Sequence, residues 1–113
     1  MEAIRNILFS EEFELYYNNL ESRIKEKYNY ALNIIRTQRV VNKKFVKHLE
    51  NTDFYELRIS VGNEYRVILF TIDHENFIEA EQILLLNGFM KKSTKDYKKE
   101  IQKAEQILNS LQQ

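Results

Sequence analysis

The hydrophobic period of this chain changes once, near Phe54, and that change limits the fold more than any other feature. Before it, apolar residues recur every three or four positions. Phe9, Phe13, Tyr16, Tyr17 and Leu20 form one stripe, and Leu20, Ile24, Tyr28, Ala31, Leu32 and Ile35 form a second. Glu21, Arg23, Lys25 and Lys27 fill the opposite face of that second stripe, as in an amphipathic helix. Ser10 followed by Glu11, Glu12 and Glu14 fits an N-cap at the positive end of a helix dipole. Asn18 and Asn19 mark a break, so a helical hairpin is expected rather than one rod. Residues 37–53 are charged and weakly periodic, a connection with room for one short strand.

After Phe54 the period is two. Tyr55, Leu57, Ile59 and Val61 alternate with Glu56, Arg58 and Ser60, and Gly62-Asn63 interrupts before Tyr65 to Ile72 resumes in β-branched and aromatic residues. This predicts a β-hairpin. A three-residue loop, Gly62 to Glu64, would pair Val61 with Tyr65, Ile59 with Val67 and Leu57 with Leu69. It would also place Arg58 and Arg66 together on the other face, avoiding burial of an unpaired guanidinium. Ile68, Phe70 and Ile72 share that face and need a cover, for which the last helix is the candidate. Asp73 to Asn76 reads as a turn, and residues 77–89 as a further strand that Gly88 ends or bulges. Ser93 to Asp96 fits a capping box, followed by a stripe of Tyr97, Ile101, Ala104, Leu108 and Leu111. The expected fold is α+β: an N-terminal helical hairpin, an antiparallel β-meander and a C-terminal basic helix in one domain spanning 1–113.

Charge is distributed unevenly. Residues 1–88 carry eleven Lys/Arg against fourteen Asp/Glu, and residues 89–113 carry six against three. A basic end on a neutral body suits a polyanion held at one place. The absence of cysteine excludes disulfides and thiolate metal sites and is consistent with a cytoplasmic setting. No apolar run approaches the roughly 18 residues of a membrane span, and residues 1–10 lack a signal-peptide pattern, so no membrane association is expected.

Ordinary catalytic motifs are missing: there is no P-loop, no G-x-G-x-x-G and no H-E-x-x-H. His48 and His74 lie in separate segments, the acidic residues are dispersed, and no metal or other cofactor is expected. What remains is a cationic set, Arg58, Arg66, Lys91 and Lys92, with Tyr97. Such a set can cleave RNA, because the substrate supplies its own 2′-hydroxyl nucleophile. The protein then has to align it and stabilise the charged phosphorane. A tyrosine or lysine among cations is expected to have a lowered pKa. Lys43, Lys44, Lys47, Lys95 and Lys99 are the candidates for further RNA contacts.

The stretch Phe54-Tyr55-Glu56-Leu57-Arg58-Ile59 and then Asn63-Glu64-Tyr65-Arg66-Val67-Ile68-Leu69-Phe70 resembles the hairpin of the RelE/ParE toxin superfamily, most closely its HigB-like, phage-protein-like branch. Leu85-Leu86-Asn87-Gly88-Phe89-Met90-Lys91-Lys92-Ser93-Thr94 resembles a second motif of that branch, with Lys99-Glu100-Ile101 following at the expected distance. The resemblance implies a RelE-like fold and a toxin neutralised by a helix-turn-helix, HigA-like antitoxin. It further implies an endoribonuclease that cuts mRNA on the ribosome and meets DNA only through the antitoxin complex. Position by position, it implies that Arg66 contacts the scissile phosphate, that Arg58 is a second basic position, and that Lys91 or Lys92 stabilises developing charge. Tyr97 falls at a late tyrosine used in proton transfer. Glu56 departs from the pattern, standing where well-characterised nucleases of the superfamily carry a lysine. A gyrase-directed ParE-like toxin and a non-catalytic antitoxin-binding relative are the alternatives.

Overall fold

The structure, a computed structural model, describes residues 2–112. Its elements run β1 (Asn6–Phe9), α1 (Glu11–Asn18), α2 (Ser22–Thr37), β2 (Val46–His48), β3 (Phe54–Val61), β4 (Asn63–Thr71), β5 (Gln82–Lys91) and α3 (Lys95–Leu111). The strands form one sheet in the order β1-β5-β4-β3-β2. Strands β2 to β5 are the expected antiparallel meander, and the order of helices, meander and helix is as expected. Strand β1 is an addition: it lies parallel to β5, pairing Asn6 with Gln82 through Phe9 with Leu85. Four residues without alternation carry no strand signal of their own, and Phe9, assigned above to a helical stripe, lies in β1 and is exposed.

The helical pair and α3 cover opposite faces of the sheet. On one face Phe13, Ile24, Tyr28, Ala31 and Ile35 pack against Leu57, Val67, Leu69, Ile83 and Leu85. On the other, Ala104 and Ile107 of α3 pack against Phe54, Ile68, Leu84, Leu86 and Phe89, which is the cover that Ile68 and Phe70 required. Leu111, expected in the α3 stripe, is exposed, and Ile107 takes its place in the core. Burial of each of the larger aliphatic and aromatic side chains contributes roughly 1.5–3 kcal/mol. Ser10 caps α1 by accepting the Phe13 N–H at 3.0 Å, and its hydroxyl donates to the Leu86 carbonyl, tying the helix start to β5. The Tyr16 and Tyr28 hydroxyls lie 2.6 Å apart, and Tyr17 donates to Asn29 at 2.8 Å, joining α1 to α2.

Arg5 fastens the chain's beginning. It is buried, and its guanidinium donates to the carbonyls of Ala80 (3.0 Å), Ile35 (2.8 Å), Gln38 (2.6 Å), Arg39 (2.6 Å) and Phe77 (3.1 Å). It thereby satisfies the end of α2 and the β4–β5 loop at once, sites whose orphan carbonyls would otherwise cost free energy.

Two expectations about backbone detail need correction. The β3–β4 turn is tighter than a three-residue loop: Val61 pairs with Asn63, Ile59 with Tyr65 and Leu57 with Val67. Gly62 makes this reversal at φ +72°, in the left-handed region that glycine enters without a Cβ clash. The shift is two residues, so each side chain keeps its expected face, and Arg58 now stands directly opposite Arg66. Gly88 neither ends nor bulges β5. The irregularity falls between Leu85 and Asn87, opposite Leu69 and Ile68, while Gly88 lies beneath Tyr16, where a Cβ would come within 2.1 Å of the ring.

Candidate active site

Three rows of residues cross the face of the sheet that α3 covers. Ser60, Glu64 and Lys91 form one, Arg58, Arg66 and Phe89 the next, and Lys47, Glu56, Ile68 and Asn87 the third. Two strands that alternate with period two therefore deliver four charged side chains, Glu56, Arg58, Glu64 and Arg66, to one patch. Asn87 anchors α3 above it, donating to the Glu100 carbonyl and carboxylate at 3.1 Å each.

Arg66 is the centre of this patch and is 2% exposed. Its Nε donates to the Tyr97 hydroxyl at 3.0 Å, one terminal nitrogen to the Tyr65 carbonyl at 2.9 Å, and the other to the Glu64 carboxylate at 3.2 Å. Glu56 is buried beside it, with Oε1 3.7 Å from the Arg66 Nε and 3.3 Å from the Arg58 Nε. Arg66 is thus buried but partnered, and the register leaves no unpaired guanidinium there, as expected. Burial alone would lower its pKa, but Tyr97, Glu64 and Glu56 together hold it above the ordinary arginine value. Arg58 differs. Its side chain is 30% exposed and is the guanidinium that solvent, and hence a phosphate, can reach.

Tyr97, at the start of α3, lies edge-on to Phe89 and under Lys91, whose Nζ is 5.6 Å from the ring centre. Its pKa is raised, first by burial and then by the Glu56 carboxylate, with Arg66 pulling the other way. The expectation of a tyrosine acidified by cations fails because the phenol is partly buried and, secondly, because a buried carboxylate sits among the cations. At neutral pH Tyr97 is a phenol and so a proton donor. The start of α3 is set by Asp96, whose carboxylate accepts the N–H groups of Lys92 (2.8 Å) and Ser93 (3.0 Å). Of the expected capping box only this returning half forms, and Thr94, at the N-cap, makes no side-chain bond.

The structure thus brings together Arg58, Arg66, Tyr97 and Lys91. Lys92, Lys95 and Lys99 are exposed around the start of α3, and Lys43 and Lys44 are exposed ahead of β2. Lys47 is exposed on β2 opposite Glu56. His48 faces the other side, edge-on to Tyr55, with its Nε2 bonded to the Thr52 carbonyl at 2.8 Å. A cavity of about 500 Å³ holds both histidines, but Asp53, Asp73 and Glu75 line it without any lysine or arginine, the wrong sign for a polyanion. A second cavity of about 370 Å³ adjoins Arg58 and is lined with Lys27 and Lys44. Among the described residues no three His, Asp or Glu side chains converge as a metal site, and no helix is long and apolar enough to cross a membrane. The contacts of Glu56 and Glu64 with Arg66 are what sequence reasoning missed. Their signal was present, since both share a strand face with Arg58 and Arg66.

The five-stranded sheet, with a helical pair on one face and a single helix on the other, is a RelE-like fold. Escherichia coli RelE in the free state, as a mutant, superposes with a TM-score of 0.61 at 16% identity, over 90% of this chain and 97% of that one. The toxin–antitoxin complex RelBE of E. coli gives 0.58 at 15% identity, over 79% and 99%. The RelB–RelE antitoxin–toxin complex of Methanococcus jannaschii gives 0.54 at 21%, over 80% and 96%. Residues 16–109 match the family described as Phage derived protein Gp49-like (DUF891), and the chain belongs to that family. Among curated protein sequences none matches.

Proposed function

We propose that this chain is the toxin of a toxin–antitoxin pair and acts as an endoribonuclease on mRNA engaged with the ribosome. The observation that carries this reading is the Arg58–Arg66 pair directly across the β3–β4 hairpin, closed from above by the phenol of Tyr97. Arg58 meets the scissile phosphate from solvent, and Arg66, fixed by Tyr97, Glu64 and the Tyr65 carbonyl, adds positive potential from beneath α3 on the same sheet face. Arginines stay charged and match phosphate oxygens with paired donors, which suits a phosphorane. The substrate's 2′-oxygen attacks phosphorus and gives its proton to the exposed Glu64 carboxylate. The bond to the 5′-oxygen breaks, and that oxygen takes the proton of Tyr97. The products are a 2′,3′-cyclic phosphate and a 5′-hydroxyl. Lys91 and the exposed lysines of α3, with Lys43, Lys44 and Lys47, contact flanking phosphates and make binding steeply dependent on salt. A helix-turn-helix antitoxin of the HigA kind is the proposed neutralising partner, and its complex the route to any DNA contact.

Brief induction of the chain, followed by mapping of new RNA 5′ ends with plasmid supercoiling scored in parallel, tests the reading. New ends within translated messages and unchanged supercoiling are expected. Relaxed plasmid with intact messages would replace the nuclease with a gyrase poison.

A further inference from the structure

We propose that the cavity beside Arg58 is a subsite for one nucleotide of single-stranded RNA flanking the cut, with Tyr30 and Phe45 as the surface on which its base stacks. The inference rests on the endoribonuclease reading above and extends it to residues outside the reacting centre. Strand β2 begins at Val46, opposite Leu57, so the outer edge of β3 beyond Arg58 has no strand beside it. The Arg58 N–H donates to the Phe45 carbonyl at 2.7 Å, which fixes Phe45 next to the arginine. The resulting cavity, about 370 Å³, is walled by Lys27, Lys44, Phe45, Arg58, Ser60 and Glu64. That volume lies within the roughly 300–1,000 Å³ range of small-ligand sites.

Helix α2 adds an aromatic just beyond that wall, beside Phe45. Tyr30, 58% exposed, has its ring centre 6.2 Å from that of Phe45. The Lys27 Nζ lies 5.7 Å from the Tyr30 ring centre, and the Lys44 Nζ 5.1 Å from that of Phe45. Aromatic faces alternating with lysines, leading away from an exposed arginine, match the needs of a single strand: each base has a face to stack and each phosphate a charge to neutralise. Glu64 is the one carboxylate in this wall. It accepts hydrogen bonds from Ser60 and Arg66, so its charge is already partnered. An acidic peptide would use the lysines but leave the Tyr30 ring without a role, and paired bases in a duplex could not reach it.

The test is the affinity of the whole chain for short fluorescein-labelled poly(U) and poly(A) oligoribonucleotides, read by anisotropy across a salt series. Tyr30→Ala should keep the wild-type fold by circular dichroism yet weaken binding about fivefold to a hundredfold, the range set by one lost stack. Tyr30→Trp should restore it. Lys27→Ala should lower the slope of log affinity against log salt by roughly 0.7. Wild-type RNA affinity in Tyr30→Ala, with cleavage intact in both proteins, would remove the subsite and leave the nuclease standing. Loss of antitoxin affinity with RNA affinity unchanged would reassign the surface to a protein partner. A wild-type chain that neither binds nor cuts RNA would overturn both readings together.

Discussion

Two guanidinium groups directly opposite each other on one sheet face repel, and Glu56 and Glu64 make the arrangement tolerable. Glu56 lies against both arginines and Glu64 against Arg66, so the positions divide the labour. Arg58→Ala should leave stability within about 1 kcal/mol, because its side chain is part-exposed, and should slow cleavage about a hundredfold, as loss of one charge-stabilising donor does. Arg66→Ala should cost about 3 kcal/mol in urea unfolding as well, since it strips partners from a buried carboxylate. Equal stability of the two variants would contradict this division. Tyr97→Phe should slow cleavage about a hundredfold while changing stability by no more than about 1 kcal/mol; an unchanged rate would remove Tyr97 as proton donor. That Arg58 and Arg66 share a face was legible from strand alternation alone. The depth of Arg66 was not, because it depends on α3 closing over it, and the rise in the Tyr97 pKa was not, because it depends first on burial in that same packing and then on where Glu56 points.

At the level of elements, long periodic segments were legible and short or non-local ones were not. Helices α1 and α2 and strands β3 and β4 each repeat their pattern often enough to identify themselves. Strand β1 is four residues long and finds its partner β5 more than seventy positions away, so nothing local announces it. Arg5 was invisible for the same reason: its carbonyl partners come from α2 and the β4–β5 loop. Gly88 shows how a residue's role can invert. Expected to disturb β5, it is the place where the sheet admits the Tyr16 ring. Gly88→Ala should therefore destabilise the protein by about 2 kcal/mol, as overpacking does, and Gly88→Ala combined with Tyr16→Ala should lose less than the sum of the two single changes. Additive losses, measured by urea unfolding, would mean that the two residues do not share this contact.

For the molecule as a whole, the paired tyrosines between α1 and α2 tie stability to alkaline pH. Burial pushes the Tyr16 hydroxyl up to about 12 and raises that of Tyr28 well above its ordinary value. Both must stay protonated in the folded state. Their contribution is fully present below pH 10, the unfolded value, and is lost as pH rises through the folded values. The unfolding free energy should be level near neutrality and fall from about pH 10 upward, and Tyr28→Phe should flatten that fall; a decline that persists unchanged in the variant would place its origin elsewhere. In the proposed chemistry, the sheet holds Arg58 and Arg66 opposite each other to align a 2′-hydroxyl with its phosphate. The most direct measurement is cleavage of an mRNA on translating ribosomes by the purified chain, compared with the same message carrying a single 2′-deoxy residue at the mapped cut. The account requires cleavage of the first with a 5′-hydroxyl product, and binding without cleavage of the second. Cleavage of the deoxy message, or a product bearing a 5′-phosphate, would contradict it.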